Sequence, residues 1–118
     1  MSSFAADSHA GGGAVVVSLS GDLDLATVDY ADAAFRQAAR DSKLLVVDLR
    51  QLDFIGVVGL RLMLAAAARM RIDGGRLVVV RGPDAVQRLF ELTGIDERLE
   101  IVDEPATVID GRPAPARA

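Results

Sequence analysis

Three short runs of aliphatic residues recur along this chain and constrain its fold more than any other feature. They occupy residues 14–19, 44–49 and 77–80, and valine and leucine dominate all three. Runs of this length are typical of strands, and their nearly continuous apolar character is typical of strands that are covered on both faces. The segments between the runs carry apolar residues at helical spacing. Strands that alternate with helices predict an α/β fold with right-handed crossovers and a mostly parallel sheet.

The ends of these segments give the expected element boundaries. Residues 20–24 form a turn, and Asp24 or Thr27 then caps a first helix by accepting from free backbone N–H groups. The stripe that this helix buries consists of Val28, Ala31, Phe35 and Ala38. The other expected elements are a weak first strand near residues 3–6, a helix after Gly59 that ends near Ile72, a strand at 76–81, a helix from Pro83 to Gly94 and a strand at 99–102.

The length of the chain favours one domain with one hydrophobic core, since it has 118 residues. We expect a four- to five-stranded, mostly parallel sheet with alternating helices over residues 14–110. Residues 1–13 are rich in small residues and are expected to be a weakly ordered N-terminal segment, and residues 111–118 a flexible tail.

Charge and composition exclude several functions. The formal net charge is −4, which argues against nucleic-acid binding because phosphate contacts require a basic patch. The chain has no cysteine, so disulfides, thiolate catalysis and cysteine-ligated zinc are excluded. The longest wholly apolar run, residues 62–68, is far too short to span a membrane, and the N-terminus lacks a secretory signal. We expect a cytoplasmic protein with no cofactor, no metal and no direct membrane insertion.

No combination of side chains in the sequence predicts an active site. His9 is the only histidine and lies in the segment expected to be weakly ordered. Asp22 and Asp24 are two residues apart, so their carboxylates could act together in acid–base chemistry or in metal binding. Capping and turn formation is the more frequent role for such residues in front of a helix. No nucleophile has a base beside it, so we expect a binding protein and not an enzyme.

The residues Phe54-Ile55-Gly56-Val57-Val58-Gly59-Leu60, after the apolar run 44–49, carry a resemblance to a known family. With Gly21-Asp22-Leu23-Asp24 and the later tract from Val86 to Ile95, they resemble the STAS domain, which is named for sulfate transporters and anti-sigma factor antagonists. Regulated members usually read Phe-x-Asp-Ser-Ser/x-Gly-Leu, and a serine in this turn accepts a phosphate. Here Gly56 stands at the aspartate position and Val57 and Val58 follow it, so the turn has no hydroxyl.

The resemblance implies an anti-sigma factor antagonist that binds an anti-sigma factor, of the serine-kinase type, and thereby releases a sigma factor. It implies a monomer or weak dimer without phosphorylation in its own signature turn. Two alternatives stay open: a STAS scaffold subunit of a lipid-transport ATPase or multi-STAS assembly, and a sensor with an apolar pocket beside Val57 and Leu62. The implied partner-binding residues are Asp22, Asp24, Phe54, Gly56, Val57, Val58, Gly59, Arg61 and Leu62.

The sequence leaves open which of Val57 and Val58 faces solvent. Either valine could match the phosphoserine position of the family. Both could also be core residues at a helix start, with no role in binding. The helix that follows is apolar on almost all sides from Leu62 to Ala68, which is more than one buried face requires. We expect at least one valine to be exposed and to contact a partner.

Overall fold

Each apolar run forms a strand, and the strands lie in one sheet in their order along the chain. The computed structural model describes residues 3–105. The strands are β1 (Ala5–Gly11), β2 (Ala14–Leu23), β3 (Leu44–Ile55), β4 (Arg76–Val80) and β5 (Glu100–Val102). The helices are α1 (Val28–Asp41), α2 (Val57–Ile72) and α3 (Asp84–Thr93), and a 3₁₀ turn, Ile95–Arg98, precedes β5.

The three helices cover one face of the sheet. β1 pairs antiparallel with β2, and the neighbours from β2 to β5 pair parallel. Right-handed crossovers between parallel strands that follow the chain order place every crossover helix on the same face. Phe35 of α1, Met63 of α2 and Phe90 of α3 accordingly share one core cluster with Val17 and Val47 of the sheet. The predicted single α/β domain with a mostly parallel sheet and alternating helices is confirmed.

The opposite face of the sheet carries a smaller cluster and a buried charge. Asp48 of β3 is only 7% exposed, and its carboxylate oxygens accept from the guanidinium of Arg50 at 2.8 to 3.2 Å. Burial alone would raise the pKa of Asp48, but the hydrogen bonds and charge of Arg50 hold that pKa below its usual value. The ion pair thus keeps a carboxylate charged within a buried strand. The apolar cluster on this face consists of Ala14, Val16, Val46, Val78 and Val80.

Both central strands run further than predicted. Residues 20–23, expected in a turn, continue β2, and β3 continues past Leu49 to Ile55. The register of β2 against β3 shifts twice, between Ser18 and Ser20 and between Gly21 and Asp22. A bulge interrupts the alternation of apolar and polar residues by which a strand is predicted from sequence. The last part of β3 was therefore not predicted as strand.

The helix α2 begins earlier than predicted. Its first residue is Val57, so Gly56 alone joins β3 to the helix, and Gly59 lies in the first helical turn. The prediction that the helix starts after Gly59 was wrong, because this glycine is required for packing within the helix and not for a turn before it. In α1 the predicted stripe is confirmed, with Ala31, Phe35 and Ala38 buried. No helix within residues 3–105 combines the length and apolarity needed to cross a bilayer.

The N-terminal segment is corrected in part. A strand was expected near residues 3–6, in a segment 1–13 that was expected to be weakly ordered; the strand is Ala5–Gly11 and pairs with β2 along its whole length. Most of its side chains are exposed because it lies at the edge of the sheet, which explains its low apolar content. The expected tail, residues 111–118, lies outside the described residues.

Candidate partner-binding surface

The ends of β2 and β3 bring together the two segments of the sequence motif. Asp22 pairs with Phe54 and Leu23 with Ile55 in the parallel register. The N–H of Gly56 donates to the carbonyl oxygen of Leu23 at 2.8 Å, which extends the pairing beyond β3. The carboxyl ends of parallel strands meet at one edge of a sheet, where open α/β proteins usually place their binding loops. The loop before α1 and the start of α2 therefore lie side by side.

The loop before α1 is held by its own polar side chains. The Thr27 hydroxyl donates to the carbonyl oxygen of Asp22 at 2.7 Å and accepts from the N–H of Asp24 at 3.0 Å. The Asp24 carboxylate accepts from the N–H of Ala26 at 3.0 Å. Neither side chain caps α1: Thr27 occupies the cap position, but it makes no cap hydrogen bond. The hydrogen bonds of Asp24 and Thr27 thus stabilise the loop and do not cap the N-terminus of α1, which corrects the predicted capping role.

The start of α2 has no polar side chain. The cap residue is Gly56, with an extended backbone, and the first turn contains no acidic residue and no side-chain cap hydrogen bond. Val57 is 63% exposed, whereas Val58 is half-buried. The structure therefore answers the question that the sequence left open, because Val57 is the valine that faces solvent.

Gly59 sets how closely α2 approaches the sheet. A Cβ atom at this position would lie 2.8 Å from Cγ of Leu23 and 2.9 Å from Cγ1 of Ile55, both of them core residues. Contacts this short require a shift of the Leu23 and Ile55 side chains, of the strand ends or of the helix. Gly59 is therefore a packing residue that seats the exposed Val57 next to the ends of β2 and β3.

Three exposed apolar side chains define what we call the apolar rim patch: Leu25, Phe54 and Val57. Leu25 is 81% exposed and Phe54 48% exposed. The Phe54 ring comes within 3.6 Å of the position that a Cβ atom of Gly56 would take, and the Cα atom of Asp24 lies 4.0 Å from the same point. Leu25 was not predicted. The available signal was a large aliphatic residue in a loop between Asp24 and Thr27, which a search for helical spacing does not detect.

Two predicted residues of the surface behave differently. Arg61 is exposed and makes no ion pair within residues 3–105. Leu62 is only 8% exposed and belongs to the core, so its predicted place on the partner surface is corrected. The reason is helical geometry: residues five apart on a helix point about 140° away from each other, so Val57 and Leu62 occupy different faces.

Comparison with known protein families and relatives supports the fold and the sequence motif described above. The family model described as "Mlab, STAS domain" matches residues 7–103. The chain belongs to the STAS family. The anti-sigma-F factor antagonist RsfB of Mycobacterium tuberculosis is 30% identical over 90 residues, which are 75% of this STAS chain and 73% of RsfB.

Solved STAS structures show the same fold. The crystal structure of an anti-sigma factor antagonist from Mycobacterium paratuberculosis has a TM-score of 0.82 and 27% identity, over 92% of this chain and 93% of that one. The anti-sigma factor antagonist SpoIIAA in its unphosphorylated form has a TM-score of 0.74 and 20% identity, over 92% and 95% of the two chains. The latter likeness concerns the fold alone. The predicted family is confirmed.

The STAS signature in this chain is therefore a β3–Gly56–α2 junction without a phosphate acceptor. Phe54 to Leu60 contains no Ser, Thr or Tyr, and the exposed position in the first helical turn is Val57. Within residues 3–105, no group of three or more His, Asp or Glu side chains is arranged to hold a metal ion. Of the two predicted aspartates, Asp22 is half-buried in β2 and Asp24 bonds within its own loop.

Proposed function

We propose that this STAS protein is an anti-sigma factor antagonist, which binds an anti-sigma factor through the apolar rim patch and so frees a sigma factor. The observation that carries the proposal is the patch itself: Leu25, Phe54 and Val57 are exposed at the same edge of the sheet. The names of its relatives support the choice of partner, since RsfB is an anti-sigma-F factor antagonist. The protein would act by binding alone, without catalysis, in the cytoplasm.

The chemistry of the patch suits a protein partner. Burying a fully exposed aliphatic or aromatic side chain gains about 1.5–3 kcal/mol, and Phe54, which is already about half-buried, gains less; the three side chains together supply the centre of an interface. Arg61 lies one helical turn after Val57 and is exposed. A single rim charge of this kind contributes more to orientation and association rate than to affinity. Asp22, Gly56 and Val58 border the patch in this proposal.

Regulation would differ from that of a phosphorylated antagonist. Where a partner is a serine kinase, a phosphate adds a charge of about −1.5 to −2 and disrupts an apolar interface through desolvation and repulsion. This chain offers such a kinase no hydroxyl between Phe54 and Leu60. Its rim patch would then remain competent for binding, and supply or another protein would set its activity.

Reconstitution tests the proposal directly. Each anti-sigma factor of the source organism is loaded with its labelled sigma factor, this protein is added, and sigma release is followed by fluorescence anisotropy. We expect one anti-sigma factor to release its sigma factor in proportion to added protein, with no phosphate in residues 54–60 by peptide mapping after incubation with ATP. If no anti-sigma factor binds, and the protein instead co-purifies with a transport ATPase, the scaffold alternative replaces the proposal.

The ligand-sensor alternative receives no support from the positions of its residues. It requires Val57 and Leu62 to line one apolar pocket, but Val57 is exposed whereas Leu62 is packed in the core. Native mass spectrometry of the purified protein separates the two functions, because a retained apolar ligand would favour the sensor.

A further inference from the structure

Within residues 3–105, the outer edge of β1 pairs with no other strand, and the direction of its free backbone groups follows from the hairpin. Gly11 pairs with Ala14, and the two-residue turn between them, Gly12 and Gly13, has φ angles of 59° and 81°. These angles are typical of a type I′ turn, whose flanking residues exchange both backbone hydrogen bonds. Since hydrogen-bonded and non-hydrogen-bonded pairs alternate, the odd-numbered residues of β1 bond to β2. The N–H and C=O groups of Ala6, Ser8 and Ala10 therefore point away from the sheet.

This edge has few of the features by which strands usually avoid pairing. Proteins protect edges with charged side chains, especially lysine, and with proline, bulges or very short strands, and of these β1 has only the charge of Asp7. The sequence of β1 is AADSHAG, and its register against β2 has no shift. The other edge, β5, has only three residues. The residues whose backbone groups point outward, Ala6, Ser8 and Ala10, have small side chains, so a second strand would meet little steric resistance there.

We infer that a second copy of this chain pairs with β1 in an antiparallel, two-fold symmetric manner centred on Ser8, which extends the sheet across the two copies. The choice of a second copy follows from charge complementarity. Asp7 and His9 are both exposed and lie on the same face of the strand, opposite Ser18 and Val16 of β2. A two-fold axis at Ser8 places Asp7 of each copy directly opposite His9 of the other.

The register satisfies the backbone and the side chains together. Ser8 faces Ser8 of the other copy, and Ala6 faces Ala10, so all the outward N–H and C=O groups of these residues are paired. Asp7 and His9 then form the non-hydrogen-bonded pairs, in which Cα atoms are only about 4.5 Å apart and side chains are closest. Symmetry makes two such carboxylate–imidazole pairs. A shift of the register by two residues would remove both.

The dimer goes beyond the proposed function and leaves it intact. Ser8 pairs with Val17 in the middle of β2, whereas the apolar rim patch lies beyond Leu23 at the end of that strand. Each copy would therefore keep its rim patch open, and one dimer would present two.

Sedimentation velocity over a range of concentrations tests the inference. We expect the parent protein to shift from monomer to dimer, and Ser8→Pro to stay monomeric, because proline removes an outward N–H group and leaves the bonds between β1 and β2 in place. Ser8→Thr is the matched control and should dimerise like the parent. A parent that remains monomeric up to millimolar concentration would overturn the inference, as would a Ser8→Pro variant that dimerises equally well.

A charge exchange tests the register. His9→Asp places two carboxylates opposite each other and should weaken the dimer about tenfold or more. Adding Asp7→Lys to this variant restores opposite charges and should recover most of the lost affinity. A His9→Asp variant with parental affinity, or a double variant with no recovery, would contradict the pairing centred on Ser8. Circular dichroism confirms in each case that the sheet has formed.

Discussion

The starts of α1 and α2 lie next to each other at the same edge of the sheet, but they are built in opposite ways. Before α1, Asp24 and Thr27 satisfy backbone groups of their own loop. At the start of α2, Gly56 and Val57 offer no side-chain hydrogen bond at all, and Val57 is exposed. The polar side chains of the first segment bond within their own loop, whereas the first turn of α2 presents apolar side chains and no polar one.

This difference between the two helix starts indicates which of them gains more free energy when a partner binds. A carboxylate that already bonds within its loop gains little from a partner, since the partner must first replace those bonds. An exposed valine has no such competing interaction and gains free energy when it is buried. In the proposed interface, Leu25 on the α1 side and Val57 on the α2 side would both supply apolar contact, and the hydrogen bonds of Asp24 and Thr27 would hold the shape of the α1 loop.

The largest expected effect comes from a charge at the start of α2. Val57→Asp should reduce affinity for the anti-sigma partner by more than about a hundredfold, because an unpaired carboxylate in an apolar contact costs several kcal/mol. The isolated variant should keep its stability or gain slightly, since a negative charge near a helix N-terminus is favourable. Isothermal titration and thermal unfolding measure the two effects.

Two controls accompany this variant. Ile72→Asp changes an aliphatic residue that is even more exposed, at 83%, at the far end of the same helix and should leave affinity unchanged. Val57→Ser should cost only about tenfold, because the lost burial is small and water is able to bridge the hydroxyl. An unfolded Val57→Asp protein would make Val57 a structural residue, and undiminished binding would move the interface elsewhere.

Adding a methyl group at Gly59, where α2 packs closely on the sheet, should have the next largest effect. Gly59→Ala is expected to lower the free energy of unfolding by about 1–2 kcal/mol, since overpacking against Leu23 and Ile55 outweighs the better helix propensity of alanine. Urea unfolding gives the number. Gly11→Ala, where a Cβ atom meets nothing within 4 Å, is the control and should change stability little. A fully tolerated Gly59→Ala would mean that α2 moves freely on the sheet.

The smallest expected effect concerns the loop before α1. Thr27→Val removes the hydroxyl that joins Asp22 to Asp24 and should cost about 1 kcal/mol of stability, with a loss of affinity of only a few-fold through a looser Leu25. Thr93→Val is the matched control, because its hydroxyl donates to the carbonyl oxygen of Leu89 in α3, away from the rim. Equal effects of the two variants on affinity would remove the special role assigned to this loop.

The fold was predictable because its signals are local and strong. The valine runs of β2, β3 and β4 and the stripe of α1 each follow one periodicity, so strands and helices were placed in the correct order. The rim was less predictable because its geometry depends on contacts between segments. The two register shifts each place an extra residue in β3, and Gly59, predicted to precede the helix, lies inside α2, where it packs closely against Leu23.

The candidate surface was likewise predicted in part and missed in part. The family resemblance identified Phe54, Val57 and Arg61, which are all exposed. It did not separate them from Leu62, because a helix that is apolar on almost all sides gives no signal for its buried face. Leu25 was missed because its exposure results from a hydrogen-bonded loop. No regular spacing of residues in the sequence indicates that such a loop forms.

In the proposed function, the absence of a hydroxyl side chain between Phe54 and Leu60 has a consequence for the timing of a regulatory circuit. An antagonist with a phosphate acceptor is switched within the turnover time of a kinase and a phosphatase. One that lacks the acceptor and is controlled by its supply responds through its abundance, so its output has a threshold where it outnumbers its target. Below that threshold added molecules are absorbed, and above it the response rises steeply. Such a circuit resets at the pace of dilution and degradation, and retains a record of past synthesis over that period.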